Sequence, residues 1–189
     1  MRNIAVFASG SGTNAENIIN HFSKSGKAGV KLVLTENPNA YVLERARRLK
    51  VPTHIFSKND LSKGSVLNLL LREKIDFIVL AGFLKLMPVS LVDEFSGRIV
   101  NIHPALLPKY GGKGMYGAYV HKAVIDAKES KSGITIHLVN NQYDKGDILY
   151  QAECDVMPCD TPELLAERIH NLEYQHFPRV VEEYMDKIF

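Results

Sequence analysis

The sequence predicts an α/β fold built on a mostly parallel, twisted β-sheet with helices on both faces. Short β-branched or aliphatic runs alternate along the chain with longer amphipathic runs, and right-handed strand–helix–strand crossovers account for such alternation. The first strand-like run, Ile4–Ala8, lacks polar alternation, which is typical of a strand buried on both faces. The chain has 189 residues and contains no repeat, low-complexity segment or linker, so we expect a single domain over residues 1–189.

In the first two thirds of the chain, each predicted strand is followed by a helix. The predicted strands are Ile4–Ala8, Lys31–Thr35, Thr53–Phe56, Phe77–Ala81 and Ile99–His103, and the predicted helices are Ala15–Ser25, Ala40–Lys50, Val66–Glu73, Val89–Phe95 and Ala118–Ala127. Pro104 stops the fifth strand because proline cannot continue a central ladder. The later strands Ile134–Val139 and Ile148–Cys154 are long enough to pair antiparallel at the sheet edge, and a helix over Pro162–Tyr184, kinked at Pro178, ends the chain.

Composition excludes several functional classes. Lys and Arg number 23 against 21 Asp and Glu, a net charge of +2, so neither nucleic acid nor a membrane surface is an expected partner. The sequence begins without a signal-peptide pattern, and no apolar run approaches the roughly 20 residues of a membrane span, so we expect a cytoplasmic protein. Cys154 and Cys159 have neither zinc-site spacing nor a disulfide framework, and we interpret them as reduced, buried thiols.

A glycine-rich turn, Ser9–Asn14, follows the first strand and opens the first helix. Glycine lets the backbone approach a ligand closely, and a helix N-terminus supplies free N–H groups, so Gly12, Thr13 and Asn14 are candidates for binding a phosphate. A tight turn without a ligand is the structural alternative. An NAD site is a third interpretation, because Gly10-x-Gly12-x-x-Ala15 fits the relaxed dinucleotide fingerprint, with Glu36 roughly 20 residues further on.

Asn101 and His103 lie two residues apart on the predicted fifth strand, so their side chains share a face. Pro104 ends this strand at the edge where open α/β sheets bind their ligands. An amide donor beside an imidazole suits a reaction in which negative charge develops on a carbonyl oxygen. A capping Asn101 and a core His103 are the structural alternatives.

Asp144 is the candidate carboxylate for His103, because a nearby carboxylate favours the protonated imidazole. Gly146 marks a turn that could deliver Asp144 to the site, although Asp147 competes for the role and the turn could be purely structural. A metal site is not expected, since the histidines show no HxxxH or HxH pair. The histidines considered are His54, His103, His121 and His137.

The chain resembles the family of folate-dependent phosphoribosylglycinamide formyltransferases over essentially its full length, and five segments carry the resemblance. They are Ser9–Asn14, Leu43–Ala46, Leu80–Phe83, Asn101–Pro108 and Asp144–Gly146. The run N-x-H-P-[SA]-L-L-P is specific to folate formyltransferases and their relatives, and its occurrence with the S-G-x-G-[ST]-N turn narrows the resemblance to this branch or to the related hydrolases. The resemblance implies a Rossmann-like formyltransferase fold. It also implies transfer of a formyl group from 10-formyltetrahydrofolate to the amine of 5-phosphoribosylglycinamide, in de novo purine (IMP) biosynthesis, without a metal.

The resemblance also implies roles for individual residues. Asn101 and His103 polarise and protonate the tetrahedral intermediate, Asn101 also contacts the folate, and Asp144 holds His103 and supports its charged form. Gly12, Thr13 and Asn14 match the phosphate turn, Glu173 matches a residue near the ribose, and the pterin lies along Leu84, Lys85, Leu86 and Met87. Either Lys58 or Lys63 matches a basic contact to folate or phosphate. His121 stays unassigned, because residues 109–117 depart from the G-x-x-x-H segment of many relatives.

Two related activities and two unrelated ones are the rivals. A formyltetrahydrofolate hydrolase carries an extra N-terminal domain, which is not expected here because the first strand begins at Asn3. A methionyl-tRNA formyltransferase carries an extra C-terminal domain and a basic surface, which a chain ending at Phe189 with net charge +2 is not expected to have. A non-catalytic nucleotide-binding module or a nicotinamide-dependent oxidoreductase would keep only the glycine turn. The expected partners are small-molecule substrates, and the protein is either a monomer or a homodimer.

Overall fold

The computed structural model describes all 189 residues. They form two compact units, Met1–Asn101 and Ile102–Phe189. A single domain over residues 1–189 stays a prediction.

The first unit is built on a parallel sheet. Its strands are β1 (Arg2–Phe7), β2 (Ala28–Thr35), β3 (Thr53–Ile55), β4 (Phe77–Leu80) and β5 (Ile99–His103), the last of which continues into the second unit. The spatial order is β3-β2-β1-β4-β5, and every neighbouring pair is parallel. Strand β1 lies between β2 and β4, and its residues Ile4–Phe7 are fully buried. The continuous apolar run at the start of the chain therefore marks a central strand, as predicted.

Five helices connect these strands. They are α1 (Thr13–Ser25), α2 (Val42–Arg48), α3 (Lys58–Ser62), α4 (Ser65–Arg72) and α5 (Val89–Glu94). Helix α1 buries Ala15, Ile18, Ile19 and Phe22, which share one face at helical spacing. It begins after Gly12, which is in the left-handed conformation, and it ends at Gly26, whose N–H donates to the Phe22 carbonyl at 3.1 Å.

The sequence predicts one helix between the third and fourth strands, whereas the structure has two, α3 and α4. Helix α3 begins with a capping box, in which Asp60 N–H donates to Ser57 Oγ and Ser57 N–H donates to the Asp60 carboxylate. Only Leu61 of this helix is buried, so the segment has no hydrophobic periodicity to detect. Strand β2 also begins earlier than predicted, at Ala28 instead of Lys31.

The second unit combines two antiparallel strands with two helices. These are α6 (Ala118–Asp126), β6 (Lys131–Leu138), β7 (Ile148–Asp155) and α7 (Pro162–Ile188). Strands β6 and β7 pair antiparallel, and the backbones approach so closely that a Cβ on Gly133 would lie 2.0 Å from the Ala152 carbonyl oxygen. The predicted strand begins at Ile134, whereas backbone pairing with β7 extends the observed strand over Lys131–Gly133.

Helix α7 supplies much of the buried surface of this unit. Thr161 caps it by accepting a hydrogen bond from Leu164 N–H, and Pro162 occupies its first turn, where no N–H is needed. Its buried face repeats every four residues, at Leu165, Ile169, Glu173, Phe177 and Val181. The helix continues through Pro178 to Ile188, beyond the predicted end at Tyr184.

The parallel sheet followed by an antiparallel strand pair confirms the predicted mostly parallel α/β class. None of the seven helices combines the length with the apolar character that a membrane span requires.

Candidate active site

The end of β5 carries the first two predicted site residues. Asn101 is half-buried, and His103 is only 3% exposed and is the last residue of the strand. Because they are two residues apart in a strand, their side chains leave the same face. The strand ends before Pro104, as the sequence predicted.

The imidazole of His103 is fixed by a main-chain acceptor on one side and faces a carboxylate on the other. Its Nε2 lies 2.8 Å from the carbonyl oxygen of Tyr110, and its Nδ1 lies 3.6 Å from Asp144 Oδ2. A carbonyl only accepts, so Nε2 carries a proton. A second proton on Nδ1 would face the carboxylate, so this arrangement suits the doubly protonated imidazolium.

Opposing effects set the charge of His103. Burial lowers its pKa below the ordinary value, and the carboxylate of Asp144 and the Tyr110 carbonyl oppose that effect without cancelling it. The imidazolium is therefore disfavoured by the apolar surroundings and supported chiefly by Asp144. Removing the charge of Asp144 would therefore remove the largest of the effects that oppose burial.

A tight turn delivers Asp144 to His103. Asp144 is in the left-handed backbone conformation, with φ of +54°. Two residues later, a Cβ on Gly146 would lie 1.8 Å from the Leu138 carbonyl oxygen, so the turn has room only for glycine there. The competing Asp147 is exposed, and its backbone carbonyl accepts a hydrogen bond from Leu138 N–H. Of the two carboxylates considered, the structure brings Asp144 to the histidine.

Asp144 is held in its ionised form. Burial opposes its charge, but a hydrogen bond from His137, the charge of His103 and the N–H of Gly112 together outweigh burial and lower its pKa below the ordinary value. The Gly112 N–H donates to Oδ2 at 2.8 Å. The carboxylate is therefore a fixed negative charge beside His103.

His137 is a neighbour that the sequence reasoning considered only as a metal ligand. It lies on β6 and is 2% exposed, and its Nδ1 is 2.7 Å from the Leu138 carbonyl. Its Nε2 lies 3.6 Å from Asp144 Oδ1. Asp144 thus has one histidine at each oxygen. Its position in the predicted strand gave no sign of which group it would meet.

Helices α6 and α7 hold a second group of histidines. His170 Nδ1 lies 2.8 Å from Glu173 Oε2, one helical turn apart, and this hydrogen bond raises the pKa of His170. His121 is 3% exposed, its Nδ1 has no hydrogen-bond partner, and burial lowers its pKa. Glu173, predicted near a ribose, is 5% exposed, and its charge acts on both His103 and His121.

In the first unit, the glycine turn forms as predicted between β1 and α1. Gly12 has φ of +75°, and an added Cβ would lie 2.5 Å from the Cβ of Val42. Gly12 also accepts the first helical hydrogen bond, from Glu16 N–H at 2.9 Å. The N–H groups of Ser11, Gly12 and Thr13 donate to no group of the protein. The predicted phosphate-binding residues Gly12, Thr13 and Asn14 therefore stand at a helix N-terminus.

Ser9 links this turn to the segment that the resemblance assigned to the pterin. Its hydroxyl donates to the Glu36 carboxylate at 2.8 Å and accepts a hydrogen bond from Leu84 N–H at 3.0 Å. Glu36, the acidic residue of the dinucleotide fingerprint, is thus engaged with Ser9. Along the segment, Leu84 and Leu86 are 42% and 41% exposed, and Lys85 is also exposed, whereas Met87 is 2% exposed.

The structure does not distinguish between Lys58 and Lys63 as the basic contact to folate or phosphate. Lys58 is the first residue of α3 and Lys63 follows its last turn, and both are exposed. No group of three or more His, Cys, Asp or Glu side chains is arranged to hold a metal ion.

Comparison with known proteins gives consistent similarities. The family model described as "Formyl transferase" matches residues 2–181. The phosphoribosylglycinamide formyltransferase of Haemophilus influenzae is 35% identical over 187 residues, which cover 96% of this chain and 86% of that protein. The crystal structure of phosphoribosylglycinamide formyltransferase from Bacillus halodurans superposes with a TM-score of 0.89 at 35% identity, covering 100% of this chain and 97% of that one.

Plant relatives are longer than this chain. The chloroplastic phosphoribosylglycinamide formyltransferase of Arabidopsis thaliana is 43% identical over 187 residues, covering 95% of this chain. This chain spans 64% of that relative and 60% of the corresponding protein of Vigna unguiculata.

Proposed function

Because this chain belongs to the formyl transferase family, we propose that it transfers the formyl group of 10-formyltetrahydrofolate to the amine of 5-phosphoribosylglycinamide. The products are the formylated glycinamide ribonucleotide and tetrahydrofolate, and the reaction belongs to de novo purine (IMP) biosynthesis. The observation that carries the proposal is the buried His103, whose Nδ1 lies 3.6 Å from the ionised Asp144, at the end of the strand that also holds Asn101. The names of the similar proteins support the choice of acceptor.

The proposed chemistry needs donors for a developing oxyanion and a group that handles a proton. The substrate amine forms a bond to the formyl carbon, and the Asn101 amide donates a hydrogen bond to the resulting oxyanion. The Nε2–H of the His103 imidazolium, which donates to the Tyr110 carbonyl in the free protein, must exchange this acceptor for the oxyanion when substrate binds. The bond from this carbon to N10 of the folate then breaks, the attacking amine loses one proton, and N10 gains one. Asp144 stabilises the charged His103 throughout, because its own pKa is lowered.

Binding of the two substrates is assigned to separate segments. We assign the phosphate to the turn containing Gly12, Thr13 and Asn14, and the pterin to Leu84, Lys85, Leu86 and Met87, with Asn101 as a further folate contact. Free N–H groups at the turn and exposed apolar side chains at Leu84 and Leu86 support these assignments. We also assign Glu173 to a contact with the ribose; its carboxylate already accepts a hydrogen bond from His170 and has further acceptor sites for a hydroxyl. The choice between Lys58 and Lys63 stays open.

One assay distinguishes this activity from its rivals. The protein is incubated with 10-formyltetrahydrofolate alone, with added 5-phosphoribosylglycinamide, or with added methionyl-tRNA, and loss of the formyl group is followed. Turnover that requires the ribonucleotide supports the proposal, equal turnover without an acceptor identifies a hydrolase, and turnover that requires methionyl-tRNA identifies the tRNA enzyme. A thermal-shift measurement with NAD tests the oxidoreductase interpretation, because a bound ligand stabilises the folded state.

We also propose that the protein acts in the cytoplasm on small molecules. Cys154 and Cys159 are both free, which suits a reducing compartment. The expectation that both thiols are buried is wrong, because Cys154 is half-buried and Cys159 is exposed. Cell fractionation with an antibody to the chain tests the location.

A further inference from the structure

Helix α2 carries the segment Leu43–Ala46, which takes part in the resemblance but has no role in the proposed chemistry. We infer that Arg45 in this segment is a positioning residue that orients the N–H groups of the glycine turn toward the phosphate of the ribonucleotide. The inference rests on the proposed function, in that the phosphate belongs to the acceptor substrate.

Residues of α2 contact three consecutive residues of the glycine turn. The N–H of Val42 donates to the Gly10 carbonyl at 3.1 Å, and Arg45 Nε donates to the Ser11 carbonyl at 2.8 Å. The side chain of Val42 also lies so close to Gly12 that an added Cβ would be 2.5 Å from it. The path of the turn is therefore set by α2 as well as by its own glycines.

Peptide geometry converts these contacts into an orientation of donors. In a trans peptide, the C=O of one residue and the N–H of the next point in opposite directions, and the only cis peptide in this protein is Leu107–Pro108. Because the Gly10 and Ser11 carbonyls point toward α2, the N–H groups of Ser11 and Gly12 point away from it. These N–H groups donate to no group of the protein. Arg45 thus fixes the peptide that aims the Gly12 N–H.

The guanidinium of Arg45 is suited to holding the turn and poorly suited to attracting the phosphate directly. It forms an ion pair with Glu16 in the first turn of α1, and its charge also lies 5.1 Å from the centre of the Tyr41 ring. Its side chain is only 20% exposed. The positive charge is therefore compensated within the protein, and the planar fork binds the turn and α1 together. Lysine has no such fork, so it would keep the charge and lose the arrangement.

The test compares three variants of the full chain. Arg45→Met removes the group, Arg45→Lys keeps only its charge, and Arg47→Met is the matched control on the same helix, where Arg47 is 74% exposed and pairs with Glu44. We expect both Arg45 variants to raise the KM for 5-phosphoribosylglycinamide about tenfold, with kcat at saturation and the KM for 10-formyltetrahydrofolate within about twofold of the wild-type values. Arg47→Met should match the wild type in all three parameters.

A second measurement keeps the inference separate from the proposed function. The affinity for inorganic phosphate is measured by titration calorimetry for the wild type and all three variants, with melting temperatures as a check on folding. If the wild type shows no ribonucleotide-dependent turnover, the proposed function fails, and weaker phosphate binding by the Arg45 variants alone still supports the positioning role. The inference is overturned if Arg45→Lys or Arg45→Met binds ribonucleotide and phosphate as the wild type does. It is also overturned if Arg45→Lys restores binding that Arg45→Met loses, or if the wild type does not bind phosphate.

Discussion

Replacing Asp144 by asparagine removes the charge that supports protonated His103 and keeps the shape of the side chain. The two groups face each other with N–O separation of 3.6 Å, and their side chains are 4% and 12% exposed. Opposite unit charges at 3.6 Å attract by about 4.6 kcal/mol at an effective dielectric constant of about 20. An amide oxygen retains part of this attraction as a dipole, so we expect about 3 kcal/mol to appear in the barrier, which lowers kcat about a hundredfold.

The pH dependence gives a second readout of the same variant. If His103 acts in its protonated form, activity is lost as the pH rises through the pKa of His103. Asp144 opposes the effect of burial on that pKa. Asp144→Asn should therefore move the falling limb of the kcat profile to lower pH, whereas Asp147→Asn, a change at an exposed neighbour, should leave it in place. A wild-type kcat and an unshifted limb in Asp144→Asn would refute the role assigned to the carboxylate.

Three further predictions concern stability. Burial lowers the pKa of His121 in the folded protein. The neutral imidazole therefore keeps its full contribution to the free energy of unfolding above the pKa of about 6.5 that histidine has in the unfolded chain, and this contribution is lost as the pH falls toward the pKa of the folded state. From pH 7.5 to 5.5, the free energy of unfolding in urea should therefore fall by about 1 kcal/mol more for the wild type than for His121→Gln, and an equal fall in the two proteins would contradict the argument. Gly146→Ala would place a Cβ 1.8 Å from the Leu138 carbonyl oxygen, so we expect a loss of about 3 kcal/mol in urea unfolding, with reduced activity as Asp144 shifts. Thr161→Ala removes the N-cap of α7 and should cost about 1 kcal/mol in urea unfolding; an unchanged midpoint would show that the cap contributes nothing.

The features that the sequence predicts are those that depend only on residues close together in the chain. The same-face relation of Asn101 and His103 depends only on strand geometry, so the spacing of the two residues is enough to predict it. The glycine turn is equally local, since a strand, a glycine pair and a helix start follow one another in the chain. These features need no information about distant residues.

The position of Asp144 needs more than local geometry. It depends on the turn between β6 and β7, and on the close approach of Gly146 to Leu138, which no spacing rule measures. The contact of His137 with the same carboxylate escapes prediction for this reason. Helix α3 is not predicted for a different reason: a capping box and a single buried leucine stabilise this helix, which has no hydrophobic stripe.

The hydrogen bond between His103 and the carbonyl of Tyr110 has a consequence for mutational scans. The acceptor is main chain, so every substitution at position 110 that keeps its φ near +55° preserves it. Residues that tolerate left-handed backbone, such as asparagine and glycine, should be accepted there. In a mutational scan, the effects of substitutions at position 110 would therefore reflect backbone preference and loss of the hydrogen bond from the Tyr110 hydroxyl to Glu129. They would not reveal that this residue also accepts a hydrogen bond from His103.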